Sequence, residues 1–399
     1  MEQVTVNTMS PPDPLLTQNF LWLTGAHFIQ ALGYSSMTML PVFLESLGAT
    51  RENIGEVMAS AAIGGLLARP LVGLALDLWG KRRTLVVGTC IAVIGLGLLG
   101  FVGEMSWLPY VARLCFGIGA GTLFTGYFAL AADYIPDSRR TEGLAIFGAS
   151  GLLPLAVNPL IGMTLFEVSD LRYYFPLVGL LLATSLFCLA MLKPTHGSPA
   201  LVARLKVKAL IREIDFLKIA PVLFAAGILA GLISLFLAFS TVTARPYGKE
   251  AATGIWIIYA LTAAGIRLVG AKLPDRLGVH NIVVPALGAY LGAYLLVANA
   301  ESASSFWVAG FLGGIGHGYG FPALVSQLFS RVPVNARGLG MALYTGLWES
   351  AALLVNPIFG EMLDVYPTGL VFSGAVLVGV GLLLFWVVFE HWYSKDCVA

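Results

Sequence analysis

Apolar positions in this chain gather into long runs separated by short polar breaks. Each run approaches the roughly 20 residues that a helix needs to cross a bilayer core about 30 Å thick. Runs of this kind fall near residues 19–44, 54–77, 84–103, 107–132, 141–166, 172–192, 217–243, 252–274, 281–299, 305–330, 338–363 and 368–391, which predicts twelve transmembrane helices. Gly and Pro interrupt several runs, which blurs their edges more than their number. The longest polar stretch, 194–216, divides the chain six and six. The expected organisation is therefore a tail over 1–18, a six-helix bundle over 19–193, a linker over 194–216, a second bundle over 217–392 and a short tail over 393–399.

Composition agrees with this pattern. Of 399 residues, 58% are hydrophobic and 11% charged, with a mean hydropathy of +0.84, whereas a soluble domain is about a quarter charged. Lys+Arg 23 against Asp+Glu 22 provides no basic field that could neutralise phosphates, which excludes a nucleic-acid-binding protein. Cys90, Cys115, Cys188 and Cys397 lack disulfide or metal spacing and read as buried free thiols. The first 17 residues contain no Lys or Arg, so the first apolar run is expected to be a retained anchor, not a cleaved signal.

Charge also predicts orientation. Lys81, Arg82, Arg83, Arg139, Arg140, Lys193, Arg204, Lys206, Lys208, Arg212, Lys218, Lys272, Arg276, Arg331, Arg337 and Lys395 fall on the side of the termini, against Arg51, Arg172, Arg245 and Lys249 on the other. Positive residues stay in the cytoplasm, so both termini are expected there, in the inner (plasma) membrane of a bacterium. The basic linker reads as an orientation signal lying against anionic lipid.

The two halves repeat one another. Arg69, Asp77 and Gly80 recur as Arg267, Asp275 and Gly278, each 198 positions later, and Val157-Asn158-Pro159 with Gly162 recurs as Val355-Asn356-Pro357 with Gly360 at the same offset. Pro136 and Arg140 recur as Pro333 and Arg337 at 197. Ordered polar identities of this kind mark a duplicated six-span unit, and such repeats place a transporter's substrate site between the halves near mid-membrane.

These motifs resemble those of the major facilitator superfamily along essentially the whole chain. Gly73-x-x-x-Asp77-x-x-Gly80-Lys81-Arg82-Arg83 is similar to that superfamily's loop signature after the second span, with a degenerate copy at Ala271-x-x-x-Asp275-x-x-Gly278. Arg113 ahead of Gly117, Gly119 and Gly121 resembles its fourth-span motif, and Asp133-x-x-Pro136-x-x-Arg139-Arg140 its next loop. Asn158-Pro159-x-x-Gly162 departs from the paired-glycine motif frequent in antiporters, while Arg69 and Leu273-Pro274-Asp275-Arg276 look most like the bacterial branch labelled arabinose-efflux-like. The resemblance implies an all-helical fold of two pseudo-symmetric six-helix bundles, working by alternating access and lined by spans one, four, seven and ten. It nominates His27, Gln30, Tyr34, Thr122, Thr125, Tyr127, Ser234 and Tyr319 for the cavity, beside Trp348. His27, Gln30 and Tyr34 share one helical face.

Gly73, Asp77, Gly80, Arg82, Arg83, Arg140, Asp275 and Gly278 form a candidate cytoplasmic gate. Gly73 and Gly80 would allow close approach and a tight turn, and Asp77 would pair with Arg82, Arg83 or Arg140, or else only cap and orient its span. Three arginines, Arg69, Arg113 and Arg267, lie within apolar runs and must face protein or a cavity. Arg69 and Arg267 read as structural or as an anion site, and Arg113 as structural or as part of a proton relay. Glu349 is the carboxylate closest to mid-span, His317 lies at similar depth, and together with Arg113 they are the candidates for proton coupling. Glu349 serves equally well as a hydrogen-bonded brace, and His317 as a packed core residue.

Gly95-Leu96-Gly97-Leu98-Leu99-Gly100 matches a dinucleotide fingerprint only as a string, since no strand precedes it, and Gly80-Lys81 completes no phosphate loop. No enzyme, metal or cofactor is expected, and energy must come from a gradient. The leading expectation is proton-coupled export of a small organic solute by a lipid-embedded monomer. The alternative is uptake or facilitated exchange of an organic anion, such as a carboxylate, on the intramembrane arginines.

Overall fold

A computed structural model describes residues 14–136, 139–193, 212–270, 273, 277, 279–333 and 336–396. Among the described residues the regular structure is entirely helical: α1 (Gln18–Ser35), α2 (Leu40–Ser46), α3 (Arg51–Leu78), α4 (Lys81–Leu99), α5 (Leu108–Tyr134), α6 (Arg140–Ser150), α7 (Pro154–Val168), α8 (Tyr174–Ala183), α9 (Ser185–Met191), α10 (Phe216–Ala244), α11 (Lys249–Val269), α12 (Val279–Ala298), α13 (Ala303–Arg331), α14 (Arg337–Val365) and α15 (Thr368–Asp396). Pairs α1–α2, α6–α7 and α8–α9 each form one broken span, so the elements amount to twelve crossings. Ten of these meet a strict length and apolarity requirement. The other two are the broken first span and α13, which Gly316-His317-Gly318 makes more polar. The basic linker at 194–211 and the first tail residues lie outside the described residues.

The first span breaks for a local reason. Ser35, Ser36 and Thr38 turn their hydroxyls back onto the carbonyls of Ala31 (2.8 Å), Gly33 (2.7 Å) and Ser35 (2.8 Å), and Pro41 has no N–H to continue the ladder. The amide of Asn158 then donates to the Leu32 carbonyl at 2.7 Å and to the Ser35 hydroxyl. Tyr174 completes the site by donating to the Asn158 side-chain oxygen at 2.8 Å. The repeat reproduces the pairing, since Ser234 donates to the side chain of Asn356 at 3.1 Å. The Val-Asn-Pro recurrence thus ties spans five and eleven to spans one and seven.

Termini and even-numbered connections define a tail face, and odd-numbered connections the far face. The halves meet along two antiparallel helix pairs, α3 with α14 and α11 with α6–α7. On the far face Asp364 accepts from the Arg51 and Glu52 backbone N–H groups at 2.8 Å each, capping α3 where the helix dipole favours negative charge. The corresponding contact in the other pair is Lys249–Glu167 at 2.6 Å, and Arg245 reaches Glu45 at 2.7 Å. Gly55 lies against the Asn356 carbonyl and Gly360 against that of Arg51, so neither position has room for a β-carbon. Polar contacts between the halves cluster on this face and at mid-depth, which leaves the two bundles pinned at the far side.

On the tail face the polar contacts among the described residues run within one half. Lys81 pairs with Asp133 at 2.6 Å and donates to the Ala129 carbonyl at 2.9 Å, while Arg82 donates to the Leu192 carbonyl. Gly80 has φ of +83°, the tight turn expected of it. Gly73 departs from expectation: it is exposed, and among the described residues nothing stands within 4 Å of where a β-carbon would be, so no close helix approach occurs there. Arg83 is exposed. The side chains of Asp77 and Arg140, together with Asp275 and Gly278, lie outside what the structure describes. Cys90 is also exposed, contrary to the buried-thiol expectation, since this stretch of α4 faces outward where a small apolar thiol suits lipid. Cys115 is half-buried and Cys188 buried.

Replacing Asn158 by Ala removes the amide that links the Leu32 carbonyl, the Ser35 hydroxyl and the Tyr174 hydroxyl, leaving Tyr174 only the Asn158 backbone carbonyl at 3.4 Å, and should cost about 1–2 kcal/mol. Thermal unfolding in detergent checks this. A melting temperature equal to the parent's would show that the Asn158 cluster does not hold the broken span.

Candidate transport cavity

Between the halves lies a cavity of about 260 Å³. His27, Gln30 and Tyr34 line it from α1, Ser234 from α10 and His317 from α13, matching the shared face read from the sequence. Spans two, five, eight and eleven also reach it and supply most of its charge: Arg69 from α3, Gly148 and Gly151 from α6 and its end, Arg267 from α11, and Thr345, Trp348 and Glu349 from α14. Close packing explains this access. Gly117 of α5 lies directly on the Ala61 backbone and Gly121 abuts Gly65, so α3 comes near enough to project Arg69 inward.

Four nominated residues point elsewhere. Thr122 and Thr125 donate to the carbonyls one turn back, at 2.8 and 3.0 Å, and Thr122 packs on Gly88 of α4. Tyr127 is fully buried behind His27, ring centroids 5.9 Å apart, and Tyr319 covers Gly270 near the end of α11. Residue type put them on the right helices, but helix rotation turned them away from the lining.

Phe124 and Phe128 of α5 and Phe321 of α13 line the cavity and had not been singled out. Phe124 and Phe321 stand 197 positions apart, a repeat spacing that was available in the sequence. His27 stacks on Phe147 at 4.0 Å and bonds through Nδ1 to the Ser150 hydroxyl at 2.9 Å. His317 bonds to the Tyr259 hydroxyl at 2.8 Å, which bonds to Tyr290 at 2.8 Å.

Glu349 takes a different partner from the one proximity in depth suggested. It forms an ion pair with Arg69, 280 positions away, and not with His317. Arg69 also donates to the Thr345 carbonyl at 2.8 Å and to the Thr345 hydroxyl. Each charged side chain is about one-fifth exposed, so the pair is withdrawn from bulk water yet open to the cavity. The remaining arginines are less well served. Arg113 sits over the Phe116 ring at 5.5 Å with its Nε unpaired, and Arg267 over Phe321 at 5.5 Å with its Nε likewise unpaired. Three arginines against one carboxylate give the lining a formal charge of +2, from 3 − 1. No cluster of metal-ligating side chains occurs among the described residues.

The family model of the Major Facilitator Superfamily matches residues 23–355. The chain belongs to this superfamily. The multi-drug resistance efflux pump PmrA of Streptococcus pneumoniae is 24% identical over 331 residues, covering 78% of this chain and 79% of its own. Two solved structures share the superfamily member's fold. A point mutant of the nucleoside transporter NupG superposes with a TM-score of 0.77 at 16% identity, covering 93% of this chain and 99% of its own. The human organic anion transporter MFSD10 gives 0.68 at 18%, covering 94% and 100%. Family and fold relatives alike are transporters that move small solutes across membranes.

Breaking one side of the Arg69–Glu349 pair strands a charge at mid-membrane depth. Arg69→Met and Glu349→Met should each destabilise by about 2–4 kcal/mol, and the double variant by less than either. A double-mutant cycle on thermal stability checks this, and additive losses would mean that the pair is not an energetic unit.

Proposed function

We propose that the protein is a proton-coupled secondary transporter that exports a small organic solute by alternating access, with Glu349 as the coupling carboxylate. The observation that carries this reading is the Arg69–Glu349 ion pair, which joins the two halves inside the cavity. When Glu349 is ionised, attraction to Arg69 draws α3 onto α14 at mid-depth. A proton on Glu349 removes that attraction, leaving the Thr345 hydrogen bonds as the remaining polar contact of Arg69 with α14. Proton occupancy thereby biases which face of the protein separates, and a solute that fits one arrangement better is linked to the proton gradient. His317, hydrogen-bonded to the Tyr259–Tyr290 chain, serves as a second titratable group of the cavity.

Positive charge on the tail face supports a cytoplasmic location for both termini in the inner membrane. The export direction is supported by likeness to the efflux pump PmrA. One chain encloses the whole cavity, which suits a monomer, and the six-plus-six division at 194–216 follows from the repeat.

Purified protein in proteoliposomes, exposed to a panel of organic acids, sugars and amphipathic cations, tests the coupling. A solute that drives proton movement in the parent should lose at least ten-fold of that movement in Glu349→Gln. Solute transport that persists in both proteins with no proton flux in either would replace this reading with facilitated exchange.

A further inference from the structure

The two arginines related by the repeat keep unequal company. Arg69 has a carboxylate, a hydroxyl and a carbonyl from the opposite half. For Arg267 the position equivalent to Glu349 is 349 − 198 = 151, occupied by Gly151. Its reach across the interface ends on the Gly148 carbonyl at 3.4 Å, the outer edge of a hydrogen bond. Its Nε finds no acceptor, as is also true of Arg69, so the difference between the two lies in their terminal nitrogens.

Other donors around Arg267 also lack acceptors. Phe321, beneath the Arg267 guanidinium, has the Tyr344 ring at 5.5 Å and the Trp348 ring at 5.6 Å. Tyr344 and Trp348 neighbour each other at 6.5 Å, yet the Tyr344 hydroxyl and Trp348 Nε1 form no hydrogen bond of good geometry. On this wall of the cavity Arg267 has one marginal acceptor and Trp348 Nε1 none, while the Tyr344 hydroxyl is fully buried outside the lining, an arrangement that costs free energy until an acceptor reaches the guanidinium.

We propose that this wall is the binding site for the carboxylate of an aromatic organic monoacid, the ligand supplying to Arg267 the counter-charge that Glu349 supplies to Arg69. This names the substrate class for the transporter reading above and rests on it. A guanidinium fork that faces the cavity suits a planar, two-oxygen acceptor. The ligand's body faces Phe124 and Phe128 on one side and Phe321 on the other, in a cavity otherwise lined largely by Ala, Gly and Leu. Arg113 is not a second arm of the site. It lies 5 residues into α5 from the far face and Arg267 lies 18 residues into α11, a depth difference of about 20 Å by helical rise, too great for one small diacid to bridge.

Isothermal titration of the purified full-length protein with 4-phenylbutyrate, its neutral amide and 4-phenylbutylamine tests the site. The acid should bind, and the amide and amine at least ten-fold more weakly. Arg267→Gln should weaken acid binding at least ten-fold. A β-carbon at Gly148 stands 3.2 Å from Arg267 Nη1, so Gly148→Asp should supply an internal counter-charge and weaken the acid ten-fold, whereas Gly148→Asn, of the same size, should retain binding. Equal affinity for acid and amide overturns the proposal, as does parent-like acid binding by an Arg267→Gln protein that melts normally, or an absence of acid binding by the parent. Binding is read without a gradient, so a failure of proton coupling leaves this result standing. A failure of acid binding in turn leaves proton-coupled transport of another solute intact.

Discussion

A guanidinium carried to mid-membrane depth must find its acceptors inside the protein, because lipid offers none. Arg69 meets this requirement across the interface between halves, on Thr345 and Glu349. Much of the architecture follows from that reach. α3 must run beside α14 from the far face inward, which requires glycine at 55 and 360, where helix backbones touch. The same close course brings an ionisable pair into the cavity between the halves.

The repeat builds this arrangement twice and completes it once. Arg51 and Asp364 at the far end of one helix pair correspond to Lys249 and Glu167 at the far end of the other, and both pairs lead inward to an arginine. One arginine is neutralised by the chain itself and the other is left facing the cavity beside Gly148 and Gly151. Duplication supplies a scaffold whose halves close against each other by the same contacts, and divergence at position 349 against 151 separates an internal charge pair from an open cation. Alternating access needs the first property and selective recognition needs the second.

How much of this could be read beforehand depended on the range of the interaction. Apolar runs reveal spans because the bilayer acts on each helix separately, so all twelve were legible, and the offset of 198 was legible because duplication preserves order. Glu349 and the three arginines stood out because charge is expensive in an apolar run. The pairing of Arg69 with Glu349 was not legible, since it depends on how two helices 280 positions apart pack. Rotation defeated Thr122, Thr125, Tyr127 and Tyr319, whose polar groups are satisfied by their own helix or buried behind the lining. The breaks at Ser36–Thr38 and after Ser150 were blurred because the apolar run continues through them; the hydroxyls of Ser35, Ser36, Thr38 and Ser150 that turn back on their own carbonyls are their local trace, whereas the Asn158 contact across helices leaves none.

The central claim is that the ion pair between α3 and α14 is a latch that a proton releases. Spin labels at Val168 and Glu301, both exposed on the far face and in opposite halves, report its state directly once the native cysteines are replaced. Their separation, measured by pulsed electron resonance, should lengthen on acidification in the parent and should already be lengthened at neutral pH in Glu349→Gln. Distance distributions that are the same at both pH values and in both proteins would contradict the account.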